Sequence, residues 1–106
     1  MNTLTEIYEV LKEEGLCLTR ADFSRSWLGR SAHYMSQIGG DPERASLTSL
    51  QLLACRLKLT LASLCPSTNA ESYYKIRSAA LSAATIFNGV YEKRHLPKQK
   101  WSTCIN

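Results

Sequence analysis

The chain has 106 residues, 44% of them hydrophobic and 21% charged, with a formal net charge of +4. That length makes one domain, or one domain with an appendage, able to bury about two-thirds of its unfolded surface without staples. The composition is that of a globular protein and excludes wholesale disorder, and no run approaches the roughly 18 apolar residues of a membrane span.

Polar and acidic residues open the chain, without a charged-then-apolar leader, so a cytoplasmic protein is expected. The first helix is marked by a capping box, Thr3 with Glu6, and by the stripe Leu4, Ile7, Tyr8 and Leu11. Gly15 ends it in the manner of a left-handed C′ residue, and Leu16 and Leu18 are expected to anchor the connection. Thr19 is a good N-cap for a second, short helix with Asp22 in its first turn and Phe23, Trp27 and Leu28 as apolar members. Gly29 stops that helix. After Gly29 and Arg30, Ser31 is expected to cap a third, with Ala32, Met35 and Ile38 inward and His33, Ser36 and Gln37 elsewhere.

Gly39-Gly40 closes the third helix, and GGDPERA reads as a loop. Ser46 then caps a long helix whose seam is Leu47, Leu50, Ala54, Leu57, Leu61 and Leu64, broadened by Leu53 and ended by Pro66. A second capping box, Thr68 with Glu71, starts a last helix running to about Lys93. Its seam is Tyr73, Ile76, Ala80, Ala83, Phe87 and Val90. Two seams of matching period joined by a short turn predict an antiparallel hairpin within the domain's own core. No strand-like alternation appears, so the expected fold is all-α with five helices. Residues 1–66 would form a core, 67–93 a helix packed on it or forming a dimer surface, and 94–106 a basic tail.

Cys17, Cys55, Cys65 and Cys104 lie far apart without a C-x-x-C pair, and neither histidine falls in a zinc-ligand pattern with them. No metal site or cofactor is expected. Cys17 and Cys55 sit among apolar residues, where a reduced thiol acts as a small hydrophobe. Charge is polarised. Residues 1–15 hold Glu6, Glu9, Glu13 and Glu14 against Lys12, whereas residues 16–39 hold Arg20, Arg25 and Arg30 against Asp22. The segment KRHLPKQK, 93–100, has no acid. Such basic stretches suit a polyanion, or are a solvated face and a frayed tail.

Two helices joined by a short glycine-containing turn, the second ending in an exposed polar face, follow the helix-turn-helix plan. The order Leu18-Thr19-Arg20, Leu28-Gly29, Ser31, Met35-Ser36-Gln37-Ile38 and Ser46-Leu47-Thr48-Ser49-Leu50 resembles the Cro/C1-type (XRE-like) domains of phage and bacterial repressors. The resemblance covers roughly residues 4 to 61. Departures cluster near the turn: Trp27-Leu28 stands where one apolar residue is usual, Arg30 replaces an apolar residue, and Ser24 takes a place where alanine is common. One added residue would rotate the second helix by about 100°.

The resemblance implies a transcriptional regulator binding double-stranded DNA, with the third helix in the major groove. Arg20 would meet phosphate or a flanking base, Arg25 and Arg30 would hold the backbone, and Ser31 would donate to a phosphate as well as cap. His33, Ser36 and Gln37 would face base edges, Gln37 being able to pair with adenine. Tyr34 is a core-edge ring or a sugar-phosphate contact, the former preferred. Lys93, Arg94, Lys98 and Lys100 would add phosphate contacts if the tail folds back. Residues 69–93, through Tyr74, Arg77 and Tyr91, offer a homodimer surface. No nucleophile with an adjacent base, paired carboxylates or phosphate loop suggests an enzyme, so no catalytic residue is assigned. The alternative is a protein-interaction module on the same scaffold, an anti-activator or inhibitor of phage or mobile-element type.

Overall fold

Thr3 caps the first helix through its side chain. Its hydroxyl accepts a hydrogen bond from Glu6 N–H while the Glu6 carboxylate accepts one from Thr3 N–H, closing the expected capping box. The computed structural model describes residues 3–68 and 70–95, with the side chain of His95 excepted. Helix α1 spans Leu4–Glu13, α2 Arg20–Ser26, α3 Tyr34–Ile38, α4 Leu47–Ala62 and α5 Ala70–His95, with a 3-10 turn at Pro42–Arg44. No strand occurs among the described residues. The described residues form an all-α domain of five helices.

The stripe of α1 is buried throughout: Leu4, Ile7 and Leu11 are fully covered and Tyr8 nearly so. Burial of each such side chain contributes about 1.5–3 kcal/mol. Leu4 N–H donates to the Gly40 carbonyl, which ties the start of α1 to the connection between α3 and α4. At the other end of α1, Lys75 of α5 bridges Glu13 at 3.3 Å and Glu14 at 3.6 Å, and the Glu13 hydrogen bond raises the Lys75 pKa.

Helices α4 and α5 make the most extensive helix pair. Lys93, near the end of α5, reaches Glu43 just ahead of α4, so the two helices run antiparallel. Leu50, Leu53 and Leu57 are buried against Ile76, Ala79, Ala80, Ala83 and Val90, while Leu47, Ala54, Leu61, Leu64 and Phe87 pack at the margin. Ala79, Ala80 and Ala83 supply the small buried side chains of the α5 seam. This hairpin is continuous with the core formed by Leu4, Ile7, Leu11, Cys17, Phe23, Trp27, Leu28, Met35 and Ile38.

Several boundaries differ from expectation. Helix α4 ends at Ala62, ahead of Pro66, because Ser63 folds back: its N–H and its hydroxyl both donate to the Thr60 carbonyl. Helix α5 continues to His95, so the first residues assigned to a tail belong to it. The α5 N-cap position, residue 69, lies outside the described residues. Leu16 and Leu18 do not anchor the first connection, being 38% and 75% exposed. The Asp22 carboxylate holds that segment instead by accepting from Leu18 N–H. Cys55 is exposed rather than apolar-packed, lying on the solvent-facing margin of α4 beside α5. Among the described residues no helix is long and apolar enough to cross a membrane.

Candidate nucleic-acid interface around α3

The segment 19–38 is built from local caps and two long-range ties. The Thr19 hydroxyl accepts from Asp22 N–H, opening α2 as expected. Phe23 of α2 is fully buried and meets the Tyr8 ring edge-on, with centroids 5.7 Å apart. Trp27 caps the C-terminus of α2, and it and Leu28 are both buried. Gly29 follows with φ +66°, where a Cβ would stand 2.7 Å from Leu52 Cδ2. The turn therefore needs glycine for its backbone angle, while the contact with the end of the Leu52 side chain would be relieved by a shift of that side chain.

The connection from α2 to α3 takes residues 27–33, longer than Gly29 and Arg30 alone, and α3 has only 5 residues. Ser31 is not the N-cap of α3. That position belongs to His33, which makes no side-chain cap, and Ser31 contributes only its carbonyl, to Tyr34 N–H at 3.1 Å. Ser24, fully buried on α2, does the capping work from across the turn. Its hydroxyl accepts from Met35 N–H at 3.1 Å and donates to the Arg20 carbonyl at 2.9 Å. The Ser24 carbonyl takes Arg30 N–H at 2.9 Å. A hydroxyl on an inward-facing helix position was the available sequence signal for this role.

Met35 and Ile38 are buried under α3, while His33, Ser36 and Gln37 are exposed. Residues three and four apart lie on one helix side, so these three polar groups form one outward row. Tyr34 packs at the core edge, as preferred, and its hydroxyl accepts Ser46 N–H at 2.8 Å.

The cations are distributed unevenly around that row. Arg25 is exposed on α2. Arg20 is also exposed, with its guanidinium 5.4 Å from the Tyr8 ring centroid. Arg30 is engaged internally: Nε donates to Ser49 Oγ at 2.9 Å, Nη2 to Ser46 Oγ at 2.6 Å, and the guanidinium lies 5.5 Å from the Tyr34 ring centroid. It joins the turn to the start of α4. Arg44, on the 3-10 turn after α3, is a further exposed cation that the sequence reading passed over inside a loop. Lys93 and Arg94 both bind Glu43 on the turn that follows α3, through its carboxylate and its carbonyl respectively. Lys98 and Lys100 lie outside the described residues.

The remaining polar chemistry is sparse. No group of His, Cys, Asp and Glu among the described residues has the arrangement of a metal site. Burial, with Asp22 adding to it, pushes the Cys17 thiol up to about 11. Hydrogen bonds from Ser67 and then Thr68 pull the exposed Cys65 thiol down to about 6, and the Ser67 oxygen lies 3.0 Å from its sulfur. Cys104 lies outside the described residues. Tyr74 and Tyr91 are exposed on α5, at 60% and 45%, and Arg77 is exposed between them.

No curated protein and no solved structure matches the chain. A family of unknown function, DUF6626, matches residues 4–90, from the first residue of α1 to the last buried residue of α5. The match takes in α1 to α4 and α5 as far as Val90, and the chain belongs to that family.

Proposed function

We propose that this protein is a non-enzymatic, sequence-specific regulator of transcription that binds double-stranded DNA with α3 in the major groove. The observation that carries the reading is the outward row His33, Ser36 and Gln37, set over the buried pair Met35 and Ile38. A row of hydrogen-bonding side chains fixed from below by packing suits the reading of base edges, with Gln37 matched to the donor and acceptor of adenine. Arg20 and Arg25 on the preceding helix suit backbone phosphates, which give register and most of the affinity. Arg30 has a different part in this scheme. Its hydrogen bonds to Ser46 and Ser49 steady the turn, and its exposed guanidinium adds charge near the row.

With only 5 residues, α3 offers few base contacts, so one copy on one site binds weakly and electrostatics dominate. Selection of duplexes from a random pool by the full-length protein tests the reading. A short recurrent motif is the expected result, and its loss in a Ser36→Ala, Gln37→Ala variant would assign recognition to α3. A pool without enrichment after several rounds would count against it.

A further inference from the structure

Away from α3, the α4–α5 hairpin has an uncovered side. An open groove of about 280 Å³ lies between the helices, walled by Ala54, Cys55 and Lys58 of α4 and by Ala84, Phe87 and Asn88 of α5. Ala54, Ala84 and Phe87 are only partly covered there. Leu59, one turn along from Cys55, is 72% exposed, and Leu81, one turn before Ala84, is 56% exposed. Large aliphatic side chains thus stand open on both helices that border the same groove. The volume falls just below the roughly 300–1,000 Å³ of small-molecule pockets, and it suits side chains inserted from another helix.

Charge narrows the choice of occupant. Helix α4 has no acidic residue; its charges are Arg56 and Lys58, both exposed, with Lys58 on the groove wall. On α5, Arg77 lies one turn before Leu81, and the acids Glu71 and Glu92 stand near opposite ends. Among the residues that line the groove, Lys58 is the one charged side chain, set with the polar Gln51 and Asn88 around Ala54, Ala84 and Phe87. A second copy docked groove to groove would bring in a second Lys58 with no carboxylate on either groove wall, which opposes pairing.

We infer that the α4–α5 groove docks an amphipathic helix of another protein, one that inserts aliphatic anchors and carries Asp or Glu beside them. Anchors repeating at three- and four-residue steps would lie along Ala54, Ala84 and Phe87, with the acids meeting Lys58. This site is separate from the α3 row, and its occupation does not depend on DNA binding.

The test uses the isotope-labelled full-length protein and a helical peptide with leucines along one side and glutamates next to them. A counterpart peptide carries lysines in place of the glutamates. The acidic peptide is expected to shift the amide signals of Cys55, Ala84 and Asn88 and to bind about ten-fold more weakly to Lys58→Glu. Ala84→Arg, which fills the groove, is expected to abolish the shifts. Lys58 is solvent-exposed, so Lys58→Glu keeps the test decisive should Ala84→Arg fail to fold. Equal binding of the two peptides, or shifts confined to other surfaces, would overturn the proposal. A dimer in sedimentation that Lys58→Glu strengthens and acidic peptide fails to displace would overturn it too, giving the groove to a second copy.

Discussion

Ser24 and Met35 join α2 to α3 through one buried hydrogen bond, Met35 N–H to Ser24 Oγ at 3.1 Å. The bond fixes the pitch of α3 against α2 and gives the start of a very short helix a partner for its amide. Ser24→Ala leaves that donor buried and unpaired, a loss of about 1–3 kcal/mol. Ser31→Ala, which removes an exposed hydroxyl without a capping role, is expected to change stability by less than about 0.5 kcal/mol. Urea unfolding of the two variants checks the order, and a larger loss at Ser31 would contradict the assignment.

Arg30 and Arg25 separate structural from surface charge. Arg30→Ala removes two hydrogen bonds to α4 and the contact with Tyr34, and is expected to cost about 0.5–1.5 kcal/mol in thermal or urea unfolding. Arg25→Ala is expected to leave unfolding unchanged while weakening duplex binding uniformly across sequences. Equal stability of the two variants would mean that the Arg30 contacts contribute nothing.

The cysteines give a prediction independent of any partner. Cys65, with its thiol near 6, is mostly thiolate at neutral pH and is expected to be alkylated first, its rate rising through about pH 6. Cys17 is expected to stay unmodified until the chain unfolds, being buried with its thiol near 11. For Cys17 the folded state keeps its proton above the ordinary value of 9.0, while the unfolded state loses it. Stability therefore falls as pH rises from about 9 to about 11, and Cys17→Ala should remove that part of the fall. Mass spectrometry of peptides after timed alkylation checks the first point, and unfolding against pH the second.

Helix caps were legible in the sequence because a cap is a local event. Thr3, Thr19 and Ser46 each bond an amide three residues on, and nothing distant competes. Ser31 misled for the opposite reason: its role is filled by Ser24, eleven residues from the amide it serves, which no local pattern discloses. The same distance hid the engagement of Arg30 with Ser46 and Ser49, so a basic residue in a turn read as a free phosphate ligand. The hairpin seams were legible because burial repeats with the helix period. Cys55 was not, since apolar neighbours in sequence on a helix lie on different sides. Within the candidate interface, the outward positions of His33, Ser36 and Gln37 follow from the same periodicity that buries Met35 and Ile38.

The measurement that bears most directly on the α3 reading is a fluorescence titration of labelled duplexes, random and enriched, at two salt concentrations. Wild-type affinity is expected to fall with salt, with a log–log slope of about −2 for the two arginine contacts of Arg20 and Arg25, and to favour the enriched duplex. His33→Ala with Gln37→Ala should abolish that preference while thermal unfolding stays nearly the same. No retained duplex at the lower salt, with binding flat across both concentrations, would contradict the account.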